Sequence, residues 1–221
     1  MSPTRSARPT SNLAPSNLAP SNLARPAAGI VAAVAWAALL IQFVTSLGDT
    51  GSAAAALLFM ARFFTITTNL IIALLFTAIA CGAATARNPR LVAGVMLAIL
   101  LVGIIYNTLL RGLIPLHGGG IIANELLHLA VPILVPLYWL FFTRKGALGA
   151  RDPWLWAIYP VLYLPYALAR GLSGEKYAYP FINVAELGWT RVLLNSLAIA
   201  IGFVITGYLV VLLDRRLARR A

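Results

Sequence analysis

The sequence predicts an all-α, polytopic membrane protein built as a six-transmembrane-helix bundle, on three observations. Hydrophobic residues make up 61% of the chain and charged residues only 10%, with a mean hydropathy of +0.87. The apolar residues gather into runs of about 20, the length that crosses the hydrocarbon core of a bilayer as a helix. Lys and Arg concentrate in every second joint between those runs, as orientation in a membrane requires. A water-soluble domain of 221 residues would need far more charge outside.

Residues 1–26 read as a disordered N-terminal tail. The segment SNLAPSNLAPSNLARP repeats a five-residue unit three times, rich in Pro, Ser and Asn and without apolar periodicity. Such a tract buries too little surface to offset its ordering entropy. The first long apolar run begins only near Ala27, so the tail is not expected to be a signal peptide.

Six spans follow within residues 27–213: Ala27–Leu47, Leu57–Ala80, Leu91–Leu110, Ile121–Phe142, Pro153–Leu172 and Arg191–Leu213. Gly, Pro and charge punctuate the joints, as in GDTGS, ARNPR and GLIPLHGGG. Residues 214–221 form a basic tail. Arg5, Arg8 and Arg25 precede the first span, Arg87 and Arg90 fill the second joint, and Arg144, Lys145 and Arg151 the fourth. Arg215, Arg216, Arg219 and Arg220 follow the last. The other joints are nearly balanced, which predicts a cell-membrane protein with both termini cytoplasmic. The net charge of +11 is explained by this orientation, so membrane lipids rather than nucleic acid are the expected partners. The single Cys81 excludes an internal disulfide framework and a multi-cysteine metal site, and its apolar run suggests a small packing residue.

Polar groups inside such spans are costly, and their positions carry the functional reading. On the second span Arg62, Thr65, Thr68 and Asn69 fall at spacings of three and four, one helical face, with Thr67 off it. Asn107 and Arg111 lie one turn apart at the end of the third span. The fourth opens IIANELLHLAVP, with Asn124 and His128 one turn apart. Pro132 removes the donor that would normally serve the His128 carbonyl, so a kink is expected there. On the fifth span Tyr159, Tyr163, Tyr166 and Arg170 form one stripe, followed by the aromatic joint YAYPFINVAELGW. By this topology all of these groups converge on the outer half of the bilayer.

Structural roles compete with functional ones at each position. A membrane threonine commonly bonds its own helix backbone, arginines near span ends snorkel to headgroups, and tyrosines suit an interfacial belt. An ionisable His128 two turns into an apolar run is a functional candidate by default. A hydroxyl nucleophile needs a base to take its proton, and imidazole is suited to that near neutral pH. Thr65 or Thr68 with His128 is the minimal catalytic pair, with Arg or Asn side chains as oxyanion donors. No cofactor is implied, no metal-ligand spacing is present, and there is no phosphate-binding glycine loop or GxSxG element.

FTITTNL, YNTLLR, NELLHLAVPIL, WLWAIYPVLYLPYALARG and YAYPFINV together resemble the Pr6Pr family of bacterial six-span membrane proteins, over most of residues 30–213. That family is in turn similar to the eukaryotic androgen-induced-gene (FAR-17a type) family, whose members hydrolyse fatty-acid esters of hydroxy fatty acids with an intramembrane Thr and His. The resemblance implies a hydrolase of lipid (fatty-acid) esters. Asn124, His128 and Pro132 match the form of the family's histidine segment and carry the base to His128. The family threonine stands three before an Asp or Asn; three before Asn69 is Ile66, and a one-residue shift gives Thr65, while Thr68 shares its face. Thr65 is the favoured nucleophile and Thr68 the alternative. Glu125 stands where the eukaryotic relatives often have His, so no family role transfers to it.

The roles expected are therefore Thr65 (or Thr68) as nucleophile and His128 as base. Asn124 or Arg62 would orient groups or stabilise charge, and Arg111 and Arg170 would meet a carboxylate or headgroup. Asn69, Asn107, Tyr163 and Tyr166 would line the substrate site. A transporter or non-enzymatic small-molecule or lipid binder is the alternative, and a protein whose polar cluster only joins helices is a third. No internal repeat and little polarity on the inner side weigh against alternating access.

Overall fold

The computed structural model describes residues 22–220, and every regular element among them is helical. The repeat tract of the expected tail lies outside the described residues up to position 21. The first helix, α1 (Ala24–Thr50), begins three residues before the first span expected from Ala27. α1 closes on Gly51, whose left-handed backbone (φ 69) lets its N–H reach the Leu47 carbonyl.

Next come α2 (Ala53–Ala61), α3 (Phe64–Ala80) and α4 (Pro89–Ile105). The NPR sequence sets the start of α4, with Asn88 Oδ1 accepting from the Arg90 N–H at 3.0 Å and Pro89 in the first turn. α4 continues into a π turn, Tyr106–Leu110, where the Arg111 N–H reaches the Tyr106 carbonyl five residues back. α5 (Gly119–Glu125), a second π turn (Leu126–Ala130) and α6 (Val131–Phe142) form one rod. α7 (Asp152–Leu172) and α8 (Val184–Ala218) complete the chain, with α8 interrupted at Gly188 (φ 71, ψ 161). α8 runs past Leu213 to Ala218, so the segment expected as a separate basic tail is largely its last turn.

Four of these rods are long and apolar enough to cross a membrane: α1, α4 with its π turn, α5 through α6, and α8. α2 and α3 bend by 99° at Arg62–Phe63 and count as a fifth only when taken together. The unbroken span expected over Leu57–Ala80 is therefore two helices. α7 has 21 residues, but its three Pro, two Trp and three Tyr leave it less apolar than those four. Leucines and isoleucines such as Leu40, Ile104, Ile133, Leu162 and Leu209 stand exposed on the outside, as lipid contact favours and water does not.

Inside, small residues allow close helix approach, the usual means of association in lipid. Ala28, Ala32, Ala35 and Ala38 of α1 are buried, and α1 packs chiefly on α3. Gly103 of α4 packs against Pro132, where a Cβ would come within 2.9 Å of the proline ring. Alanine gains up to about 1 kcal/mol over glycine in helix propensity, but overpacking against a rigid ring costs about 1–3 kcal/mol. Gly103→Ala is expected to lower the thermal unfolding midpoint in detergent.

The basic joints gather at one end. Arg25 Nε donates to the Ala80 carbonyl (3.1 Å), and Arg90 Nε to the Ala147 carbonyl (3.3 Å) while facing Asp152 at 3.5 Å. Asp214 of α8, wholly buried, accepts from the Gly146 and Leu148 amides at 2.9 and 3.1 Å. Lys145 caps the end of α6 through the Trp139 and Thr143 carbonyls. Burial pushes its ammonium down to about 8 against the upward pull of Asp214. Cys81 is exposed where α3 ends, rather than packed in an apolar run as expected.

Candidate active site at the break between α2 and α3

At the opposite end, the chain turns sharply at Arg62–Phe63 without glycine or proline. The C-terminal carbonyls that α2 frees at this turn are taken by α7. Tyr163 Oη donates to the Arg62 carbonyl, Tyr166 Oη to that of Ala61 (3.1 Å), and Arg170 Nη1 to that of Leu58 (3.0 Å). The tyrosine stripe is thus the dock for the end of α2, and Arg62 lies in the turn rather than on the α3 face expected for it.

Glu175 closes the cluster. It pairs with Arg170 (Nη2–Oε2 2.6 Å, Nε–Oε1 3.1 Å) and with Arg62 (3.3 Å). Both guanidinium groups pair within the protein, with Arg62 Nε left without a partner, and Arg111 forms a two-pronged pair with Glu125 at 2.8 and 3.1 Å. The carboxylate that each of the three meets in the structure is the protein's own. Glu175→Gln should loosen the segment 173–183, raising its backbone hydrogen exchange by about three- to tenfold and leaving α4 unchanged.

The break also sets the first turn of α3. Ile66 and Thr67 fold their N–H groups back onto the Phe63 carbonyl, leaving the Phe64 and Thr65 amides without a backbone acceptor. Thr67 and Thr68 hydroxyls both meet Tyr159 Oη, at 2.7 and 3.0 Å. Thr65 is the one whose Oγ1 faces His128, at 3.3 Å from Nε2. The structure therefore separates the two threonines that the sequence left as alternatives. Asn69 is fully buried, and its amide donates to the Thr65 carbonyl at 2.8 Å, bracing this turn rather than lining a cavity.

His128 sits in the π turn that precedes Pro132. Its Nδ1 lies 3.0 Å from the Asn124 carbonyl, which can only accept, so Nδ1 carries the proton and Nε2 presents its lone pair to Thr65. Asn124 thus orients the ring through its backbone; its side-chain amide points to Glu125 at 3.5 Å. The His128 carbonyl, deprived of its donor by Pro132, accepts from Asn107 Nδ2 at 3.0 Å. Asn107 Oδ1 in turn accepts from Arg111 Nε at 2.9 Å. Tyr106 stacks on the imidazole with ring centroids 3.8 Å apart. Two π turns, one on each side, hold this ring.

An apolar cavity of about 130 Å³ opens beside Thr65, lined also by Tyr106, Tyr163 and Tyr179. Tyr166 is not among its lining residues. Sequence reasoning missed Tyr106, the pairing roles of Glu125 and Glu175, and the α8 wall of this cavity. Only the five-residue spacing of Arg170 and Glu175 offered a signal. Among the described residues no three His, Cys, Asp or Glu side chains converge as a metal site would require.

No family model, curated protein or solved structure matches this chain. The functional reading therefore stands on the geometry.

Proposed function

We propose that this chain crosses the membrane six times with both ends cytoplasmic and hydrolyses fatty-acyl esters with a Thr65–His128 pair in the outer half of the bilayer. The observation that carries the reading is the contact of Thr65 Oγ1 with His128 Nε2, with Nδ1 fixed by a backbone acceptor and an apolar cavity at hand. The basic joints at the far end support the orientation.

In this reading Oγ1 attacks the ester carbonyl and its proton passes to Nε2. The Phe64 and Thr65 amides, at the positive end of α3, are suited to receive the tetrahedral oxygen. The C–O bond to the leaving alcohol breaks, Nε2 returns the proton to that oxygen, and the acyl group is left on Thr65. Water, deprotonated by the same nitrogen, then releases the fatty acid and restores the threonine. No cofactor enters any step.

Labelling of membranes with a fluorophosphonate probe tests the reading. Wild type should be labelled, and Thr65→Ala and His128→Ala should not. Folded wild-type protein that takes no label overturns hydrolysis and leaves the alternative, a lipid binder or transporter using the same cavity without turnover.

A further inference from the structure

The space beside Thr65 continues away from it. A second cavity, of about 320 Å³, shares Leu101, Ile105, Ile199 and Phe203 with the first and extends to Leu97, Gly202 and Thr206. Together they follow the seam between α4 and α8. From Ser196 to Thr206 the α8 wall spans about 15 Å at 1.5 Å per residue. The seam opens sideways, where Ile104 and Gly202 are exposed on the lipid-facing surface.

Three of the polar side chains along it are already occupied. The Ser196 hydroxyl donates to the Val192 carbonyl and Thr206 to the Gly202 carbonyl, both at 2.8 Å, and Tyr163 donates to that of Arg62. What remains is a largely hydrocarbon-lined groove with the Thr65, Tyr106 and Tyr179 hydroxyls near one end, and His128 behind Thr65. Phe203, only 3% exposed, stands where the two cavities meet.

We infer that one unbranched acyl chain of a bilayer lipid enters sideways between α4 and α8 and lies along this seam, with its carbonyl end at Thr65, and that Gly202 and Phe203 determine how long a chain is accepted. The reacting carbonyl rests on the hydrolase reading; the chain-binding seam does not. A Cβ at Gly202 meets no atom within 4 Å, so the groove tolerates a side chain there without a clash in the fold.

Two measurements on the full-length protein in membranes test this. The first is turnover of the butyrate, octanoate, laurate and palmitate esters of one chromogenic alcohol. Gly202→Leu should lower palmitate turnover by about fourfold for each methylene denied burial, while butyrate turnover stays within about twofold. Phe203→Ala, which enlarges the junction, should shift preference towards the longer chains. The second is photocrosslinking with a palmitate bearing a terminal diazirine, read by peptide mapping, which needs no turnover. Crosslinks should concentrate on Leu97–Leu101 and Ile199–Thr206, and Gly202→Leu should diminish them. Crosslinks at the seam without turnover in any variant would uphold chain binding and sink hydrolysis. Crosslinks spread evenly over the exposed helices, or a chain-length profile unmoved by both substitutions, would overturn the inference.

Discussion

Thr65→Val is expected to lower turnover of a fatty-acyl ester by more than about 10³-fold, whereas Thr68→Val, on the same helical face, should leave it within about threefold. Both substitutions replace a hydroxyl by a methyl of similar size, so packing changes little. They differ in what the hydroxyl touches. Thr65 Oγ1 faces His128 Nε2, but Thr68 Oγ1 is held by Tyr159, which also holds Thr67. Losing the Thr68 hydroxyl still leaves Tyr159 with a partner, so a loss of about 1 kcal/mol in stability is the main expected cost. Initial rates with a long-chain ester in membranes, normalised to folded protein, decide the matter. Equal losses in both variants would remove Thr65 from its assigned role.

The second large effect lies at the other end of the molecule and concerns stability. Asp214→Ala is expected to destabilise the fold by about 2–4 kcal/mol, because it strands the buried Leu148 amide, costing about 1–3 kcal/mol when unpaired, and removes the half-buried bond from the Gly146 amide, worth about 1 kcal/mol. Gly146 and Leu148 are the amides in question, and Asp214 is the group that ties the joint between α6 and α7 to α8. At about 2–4 °C per kcal/mol for a chain of this size, the midpoint should fall by about 5–15 °C. Asp214→Asn keeps an acceptor in place and should recover much of the loss. A variant as stable as wild type would show that the joint is held by other contacts.

Much of the architecture was legible because its causes are local. Runs of apolar residues and the Pro, Gly and charge that punctuate the joints each report their own segment. The freed His128 carbonyl was legible for the same reason, since the effect of Pro132 follows from chain chemistry alone, but where a kink was expected the structure has a π turn within one rod. The group that answers that carbonyl, Asn107, was already a candidate, although nothing in its own helix indicated the contact. The break at Arg62–Phe63 was not legible. FMARFFTITT contains no glycine or proline, and the groups that stabilise the turn lie more than a hundred residues away, on α7. For the same reason the internal partners of the arginines were not foreseen. Their carboxylate partners, Glu125 and Glu175, stand on another helix or in a following joint, and apart from the short spacing of Arg170 and Glu175 the sequence does not report such meetings. Choosing between Thr65 and Thr68 likewise required knowing where Tyr159 reaches.

The paired π turns make the length of the chain a property of the site. A π turn carries one residue more than an α-helical turn, so each behaves as a one-residue insertion absorbed without breaking its rod. Deleting one residue between 126 and 130 would restore α geometry there and leave α5 and α6 nearly in their present register, because the turn absorbs its extra residue locally. Glu125 would still reach Arg111, whereas His128, inside the turn, would lose its present placement against Thr65 and Tyr106, while hydropathy and core composition scarcely changed. A homologue one residue shorter in either turn could keep every side chain named here and still lack the arrangement they form.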